Sequence, residues 1–555
     1  MKAPSDGVRT EEIKERAVED KRAGARDVDV LIVGAGPTGL TAANVLAREG
    51  TSFRIIDGKS GPVEETRALV VHAKTLELLD KLGLATEAVE EGQRLGAARF
   101  LSEGKPVGEV TFFEDGQDDR TPYPFALVYE QHRMERLLIR GLERAGGRVE
   151  WDTRLLAMEQ VEDGVSAAVR DSHGSEETIE AGWVIGADGA RSLVRHSLGL
   201  EFEGDTYEQT LFLADVEMEW EFGSRQVYVD MTKAGFYAFL PMPGEKRFRL
   251  IGSVPEELEE RAEITEADVQ SLLDAHSGIR VRITRVRWTS LYSTHRRMTE
   301  HFRVGDAFLA GDAAHIHSPA GGQGMNTGIG DAYNLAWKLA LVAGGEAREA
   351  LLDSYEAERV PFARSILNGS DRGFSLQVTT NPATQRLKLT LVPLLLRFAS
   401  ALPVLRRRLF WLISQLWTSY RNSPAVARSG TLLKGPRAGE RAPYGIFEDG
   451  SSLYRSLTGT IHHLLVFEGE KTRGSEPYRE EITALLNRYA VRVEIHYVAK
   501  NNRSLHRLYG AREPSLFLVR PDGHIAFRGG VRGAGGLAAY LDRTFKGIGD
   551  SIVIR

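Results

Sequence analysis

Cysteine is absent from all 555 residues, and that absence alone removes disulfides, thiolate metal sites, cysteine nucleophiles and iron–sulfur clusters. Long apolar runs are missing too. No stretch approaches the roughly 18 uninterrupted apolar residues that a spanning helix needs, so no membrane span is expected. Neither charge sign dominates: the formal net charge of -6 gives no reason to expect nucleic acid or an anionic membrane as a partner. Residues 1–26 carry charges of both signs without an apolar segment, which argues against a signal or transit peptide. A charged flexible tail over residues 1–27 and a cytoplasmic location are the expectations. No metal site is expected. What is present is ordinary globular composition, 42% hydrophobic and 27% charged, with length for two or three domains.

Residues 29–39, DVLIVGAGPTG, organise the rest. Val30, Leu31, Ile32 and Val33 read as a buried strand, Gly34, Gly36 and Gly39 as a G-x-G-x-x-G turn, and Pro37 and Thr38 as the start of a helix over 37–48. Gly34 allows the sharp turn, Gly36 lets backbone approach a pyrophosphate, and Gly39 lets helix and strand pack closely. The helix N-terminus turns free N–H groups toward that pyrophosphate. Gly50 ends the helix, a second strand follows over 53–56, and Asp57 stands where an acid accepts adenosine ribose hydroxyls. This pattern predicts dinucleotide binding and leaves NAD(P) and FAD both open.

Downstream, Arg67 precedes a helix that Gly83 stops; it is placed to reach the cofactor, or else is simply solvated, whereas His72 reads as structural. Another helix is expected over 131–145. A strand over 179–185 then delivers the chain into GADGARSLVR, where Asp188 and Gly189 make a turn. Residues 202–288 alternate apolar and polar, which predicts an antiparallel sheet broken by an acidic helix over 256–276. That sheet would wall a substrate pocket, with Phe236, Tyr237 and Phe239 either lining it or serving only as core aromatics. A strand over 307–310 leads into Gly311 and Asp312 and a glycine-rich loop before a helix over 326–342. Such a loop suits backbone lying against a flat ligand, with Asp312 accepting from sugar or ribityl hydroxyls and the N–H groups of residues 321–324 meeting a polarised ring edge.

Gly34-x-Gly36-x-x-Gly39, Gly186-Ala187-Asp188-Gly189 and Gly311-Asp312, in that order, resemble the three fingerprints of the flavoprotein aromatic hydroxylases, the single-component FAD monooxygenases typified by p-hydroxybenzoate hydroxylase and phenol hydroxylase. The expected fold class is α/β: a Rossmann-like FAD-binding domain in two parts (28–201 and 291–370), an inserted, mostly antiparallel substrate sheet (202–290), a helical region (371–430) and a thioredoxin-like domain (431–555). The resemblance implies FAD on Gly34, Gly36, Pro37, Thr38, Gly39, Asp57, Arg67, Gln131, Asp188, Gly311 and Asp312. It places Pro319, Gly322, Gly324, Met325 and Asn326 beside the isoalloxazine. Asp57-Gly58-Lys59 departs mildly from the family's usual glutamate. NADPH or NADH would dock transiently as co-substrate, dioxygen would give a flavin C4a-hydroperoxide, and a small phenolic or polycyclic aromatic substrate would receive one oxygen. Tyr237, His295 and His317 are candidates for a base, and Pro319, Tyr237 and His317 are carried as the catalytic set. A Baeyer–Villiger oxygenase and a flavin-binding protein without turnover are the alternatives, and a homodimer is among the possible assemblies.

Residues 371–430 are apolar and basic, interrupted by Pro393 and Pro403. A docked helical pair behind the substrate site is expected rather than membrane-surface binding. From Gly439 a new βα pattern resembles the thioredoxin-like C-terminal domain of the phenol hydroxylase branch, with Pro514 where that fold often carries a cis-proline. Without cysteines after Phe467 the domain is expected to be redox-inert, a scaffold or dimer contact.

Overall fold

The computed structural model describes residues 26–64, 68–111, 120–255, 258, 261, 264–317, 320–378, 389–392, 394–395, 398, 402–428, 434–470, 476–531 and 534–551. Val28–Val33 lies inside a seven-stranded sheet, paired in parallel with Phe53–Ile56 on one side and Glu176–Gly186 on the other. Glu176–Gly186 in turn pairs in parallel with Ala307–Leu309. Strands covered on both faces need apolar side chains throughout, and Val30, Leu31 and Ile32 are fully buried. The helix Pro37–Arg48 packs directly on this sheet, because a side chain at Gly39 would overlap the carbonyl oxygen of Gly34. The long helix Gly324–Ala343 packs against it in turn, buried nearly all round from Asn326 to Leu341.

The second sheet has eight strands, and it reaches beyond the insertion that the sequence delimits. Glu203–Trp220, Gln226–Thr232, Gly235–Pro241, Arg247–Ser253 and Val281–Met298 form its antiparallel body. The hairpin Ala97–Ser102 and Lys105–Thr111 joins through a parallel pairing with Gln226–Thr232, and His315–Ile316 adds the opposite edge. The helix Glu266–His276, started by a capping box of Thr265 and Asp268, covers one face. Side chains alternate across a strand, so Tyr237 and Phe239 pack with Val269, Leu272 and Leu273 beneath that helix. Phe236, Ala238 and Leu240 lie on the other face, against Leu69, Leu95 and Val128 of the first domain.

The C-terminal sheet is built on His462–Phe467, parallel to Val493–Val498 and antiparallel to Ser515–Val519, which pairs antiparallel with Ile525–Gly530. All peptide bonds among the described residues are trans, so the cis-proline suggested for Pro514 is not found. The helical region also differs from expectation. Its helix Pro403–Ile413 docks through Phe410 against Ala73, while Leu394, Phe398, Val404 and Leu412 stay more than half exposed. Among the described residues no helix is long and apolar enough to cross a membrane.

Candidate active site

Three parallel strands end level with one another. Val33 is in register with Gly186, and Gly186 with Leu309, so the glycine turn, the Ala187-Asp188-Gly189 turn and Gly311-Asp312 all emerge at the same sheet edge. Carboxyl ends of parallel strands are where such sheets take ligands. The turns also touch. The Ala187 N–H donates to Val33 O at 2.8 Å, Gly34 with φ +103 packs on the Ala187 carbonyl, and Thr38 packs on Gly311 and Gly328.

At the first turn the helix Pro37–Arg48 begins with no side-chain cap and no acid in its first turn. Its leading N–H groups have no such partner, and a Cβ added to Gly36 would meet nothing within 4 Å. Open space over an uncapped helix N-terminus suits a pyrophosphate. Asp57 stands beside it: Oδ2 accepts from the Ala35 N–H at 2.7 Å and Oδ1 from the Lys59 N–H at 2.9 Å, which fixes the acid against the turn and leaves lone pairs for sugar hydroxyls.

Asp188 Oδ2 accepts from the Leu193 N–H at 2.7 Å and the Val194 N–H at 3.3 Å, while its buried Oδ1 has no partner among the described residues. Burial raises its pKa against the pull of these hydrogen bonds. The buried Arg195 ties this turn to the third motif by donating to Ala190 O and Ala313 O, both at 2.9 Å. In that motif Gly311 and Ala313 are buried and Asp312 between them is exposed.

The glycine loop is clamped rather than loose. Gly321 and Gly322 adopt φ +77 and +62, the left-handed conformation that favours glycine. His72 Nε2 donates to Gly321 O at 2.9 Å. Asn326 Nδ2 donates to Val70 O and Gly322 O, both at 2.8 Å, and its Oδ1 accepts from the His72 N–H and Thr75 Oγ1. Behind the loop Asp331 Oδ2 accepts from His315 Nε2 at 2.7 Å and the Gly311 N–H at 3.1 Å, and its Oδ1 accepts from Arg359 Nε at 2.6 Å. Gly322 packs on Val70, so the apolar sheet face carrying Phe236, Ala238 and Leu240 leads up to the loop through Leu69 and Val70.

Residues 27–370 match the protein family described as FAD binding domain. The chain belongs to the FAD-dependent aromatic monooxygenases. It is 36% identical over 451 residues to pentachlorophenol 4-monooxygenase of Sphingobium chlorophenolicum, covering 79% of this chain and 80% of that one. To 6-methylpretetramide 4-monooxygenase of Streptomyces rimosus it is 33% identical, covering 94% and 96%. Its fold matches aklavinone-11 hydroxylase, solved with FAD and aklavinone, with a TM-score of 0.74 at 26% identity, covering 94% and 99%. The protein is thus an FAD-dependent monooxygenase of aromatic compounds, with NAD(P)H as the co-substrate typical of the family.

Within this monooxygenase Gly34, Gly36, Pro37, Thr38, Gly39, Asp57, Asp188, Gly311 and Asp312 gather at the one sheet edge, with Gly322, Gly324, Met325 and Asn326 in the adjoining loop and helix start. Gln131 begins the helix Gln131–Arg144, its N–H donating to Ala68 O at 3.1 Å and its side chain to Glu135. Arg67 and Pro319 lie outside the described residues. His317 packs against Gly324 at the helix start, whereas His295 bonds Thr206 on the substrate sheet. Tyr237 requires a correction. Strand parity turns it away from the glycine loop into the layer under the helix Glu266–His276, where its hydroxyl meets Ser253 O at 3.4 Å. Burial raises its pKa, which favours the neutral phenol and argues against a base at this position. Phe239 shares its face; of the three aromatic candidates only Phe236 points toward the cofactor side. Sequence reasoning missed Arg195, Asp331 and Arg359 as positioning residues and took His72 only as structural; no motif flags a side chain that bonds backbone 118 or 249 residues away.

Proposed function

We propose that this monooxygenase adds one oxygen atom to a phenolic or polycyclic aromatic ring held between the apolar sheet face at Phe236, Ala238 and Leu240 and the clamped loop at residues 321–324. The carrying observation is the continuity of those two surfaces through Leu69 and Val70. FAD, when bound, supplies the reaction with NAD(P)H and dioxygen; the chain supplies position, dryness and proton handling. Gly36 and the first N–H groups of Pro37–Arg48 would take the pyrophosphate, Asp57 the adenosine ribose, and Asp312 a ribityl hydroxyl. Gln131 and Asp188 would contact the same cofactor, as would Arg67. His317, against Gly324, is the side chain assigned to proton handling near the ring, and Pro319 would flank the same ring by the family resemblance.

The C-terminal unit reads as thioredoxin-like, since its strand sequence runs Ile525–Gly530, Ser515–Val519, His462–Phe467, Val493–Val498 across the sheet. Lacking cysteine, it serves as scaffold. A second copy covering Leu394, Phe398 and Val404 would make a homodimer, and a sedimentation measurement returning only monomer would remove that assembly. Dependence on NAD(P)H fits a cytoplasmic location. The deciding experiment incubates FAD-loaded protein with NADPH or NADH and a panel of phenols and polyketide quinones, followed by mass spectrometry and NMR of the products. A ring hydroxyl is expected. A lactone or ester would instead give the Baeyer–Villiger assignment, and no product with any panel member would overturn the aromatic substrate class.

A further inference from the structure

The C-terminal sheet brings together two imidazoles and a carboxylate that the oxygenase chemistry does not use. His463 on the central strand is in register with Glu494 on the edge strand, and Leu465 with His496. Residues two apart on a strand share a face, so Glu494 and His496 stand on the same side as His463. His463 Nδ1 and His496 Nε2 are 3.0 Å apart. The Glu494 oxygens lie 3.7 Å from the first nitrogen and 4.0 Å from the second.

The orientation of His463 is fixed from behind. Its Nε2 is 2.9 Å from Thr458 O, a carbonyl that only accepts, so Nε2 carries the proton and the Nδ1 lone pair points into the cluster. An imidazole held by a backbone carbonyl on its far nitrogen is the arrangement that sets a metal-ligating histidine. The His463 side chain is fully buried, that of His496 is 14% exposed and that of Glu494 53% exposed. One side of the cluster therefore opens to solvent. Metal–ligand bonds of about 2.0–2.1 Å place tetrahedral donor atoms about 3.3 Å apart. The two nitrogens are within a few tenths of that spacing, and the half-exposed carboxylate closes the rest by a rotamer adjustment.

We propose that this unit holds a divalent transition-metal ion of the Zn(II) class on His463 Nδ1, His496 Nε2 and the Glu494 carboxylate, with water in the fourth position. Binding moves the proton of His496 from Nε2 to Nδ1, so both imidazoles stay neutral. The ion staples the edge strand Val493–Val498 to the strand His462–Phe467. The absence of cysteine excludes thiolate sites only and leaves nitrogen and oxygen donors open.

The test uses the full chain with FAD bound, stripped with a chelator and titrated with Zn(II). Calorimetry and elemental analysis after gel filtration should show about one equivalent per chain, with a higher Tm in its presence. Glu494→Gln and His496→Asn should each weaken binding roughly tenfold or more, and His173→Asn, in an exposed turn, should leave it unchanged. Glu494→Gln alters an exposed side chain, so its effect is not one of folding. No uptake, or equal uptake by His496→Asn, overturns the proposal and leaves a hydrogen bond between two neutral histidines.

Discussion

At the scale of single residues, Gly36 and Gly39 share a motif and differ in consequence. A Cβ at Gly39 would overlap the Gly34 carbonyl, so Gly39→Ala forces helix and strand apart and should cost about 3 kcal/mol or more of stability. At Gly36 nothing lies within 4 Å, so Gly36→Ala should leave the apo fold within about 1 kcal/mol of wild type and weaken FAD about tenfold or more, about 1.4 kcal/mol or above. Urea unfolding of the apoproteins with a flavin-fluorescence titration separates the two, and equal effects on both readouts would contradict this division. His72 gives a second prediction at this scale. Burial holds its pKa at about 4, below the value of about 6.5 for an unfolded histidine. The neutral form suits the fold, so the His72 contribution is complete above about pH 6.5 and is lost as pH falls to 4, by about 3 kcal/mol. His72→Gln keeps a donor for Gly321 O and removes the titration. Its stability should therefore fall less than wild type across that window, and parallel pH profiles would refute the role. The motif glycines were legible in sequence because each answers a local backbone demand. His72 was not, because its partner is 249 residues away.

At the scale of elements, the predicted helix over 37–48 and strand over 53–56 coincide with those observed, since proline, glycine and apolar periodicity mark their ends. Strand existence in the substrate sheet was equally legible, but strand facing was not. The alternation at 235–241 says that two sets of side chains diverge, and only the packing of the helix Glu266–His276 on one face decides which set meets the cofactor side. The hairpin Ala97–Ser102 and Lys105–Thr111 joins that sheet by a parallel pairing across more than 100 residues, which no local pattern announces. The structure holds the loop at Gly322 with Asn326, whose amide makes four hydrogen bonds. Asn326→Ala should therefore cost about 1–3 kcal/mol, the penalty for leaving buried partners unmatched. A freed loop should also let more NAD(P)H oxidation proceed to hydrogen peroxide than in wild type. Unfolding curves and a peroxide assay check the two effects, and an unchanged peroxide yield would mean that the clamp does not bear on the reaction.

For the whole molecule, the C-terminal unit meets the FAD domain across a cluster of buried charges. Glu358, from the helix Asp353–Val378, accepts from Arg520 of the C-terminal sheet at 2.6 and 2.8 Å. It also accepts from Ser423 Oγ at 2.6 Å, Asn334 Nδ2 at 2.7 Å and Lys338 Nζ at 2.9 Å. Arg520, Lys338 and Glu358 have fully buried side chains. Burial alone would raise the Glu358 pKa, but Arg520 and Lys338 beside it hold the carboxyl at about 2, so the group is ionised at neutral pH. Asn334 and Lys338 belong to Gly324–Ala343, the helix whose first turn adjoins the glycine loop, which joins the C-terminal unit to that loop through one rigid element. A buried pair is weak support for stability as a whole and severe to break, because the surviving charge has no solvent. Arg520→Met should accordingly lower stability by about 3–5 kcal/mol. Replacing both partners with Glu358→Met and Arg520→Met should restore part of that loss, since the two charges removed cancel and the buried neighbours they leave, Lys338 and Asp522, are of opposite sign. Urea denaturation of wild type, both single variants and the double variant gives the coupling directly. Additive losses would show that Glu358 and Arg520 act independently and that the apolar contacts, rather than this pair, hold the two units together.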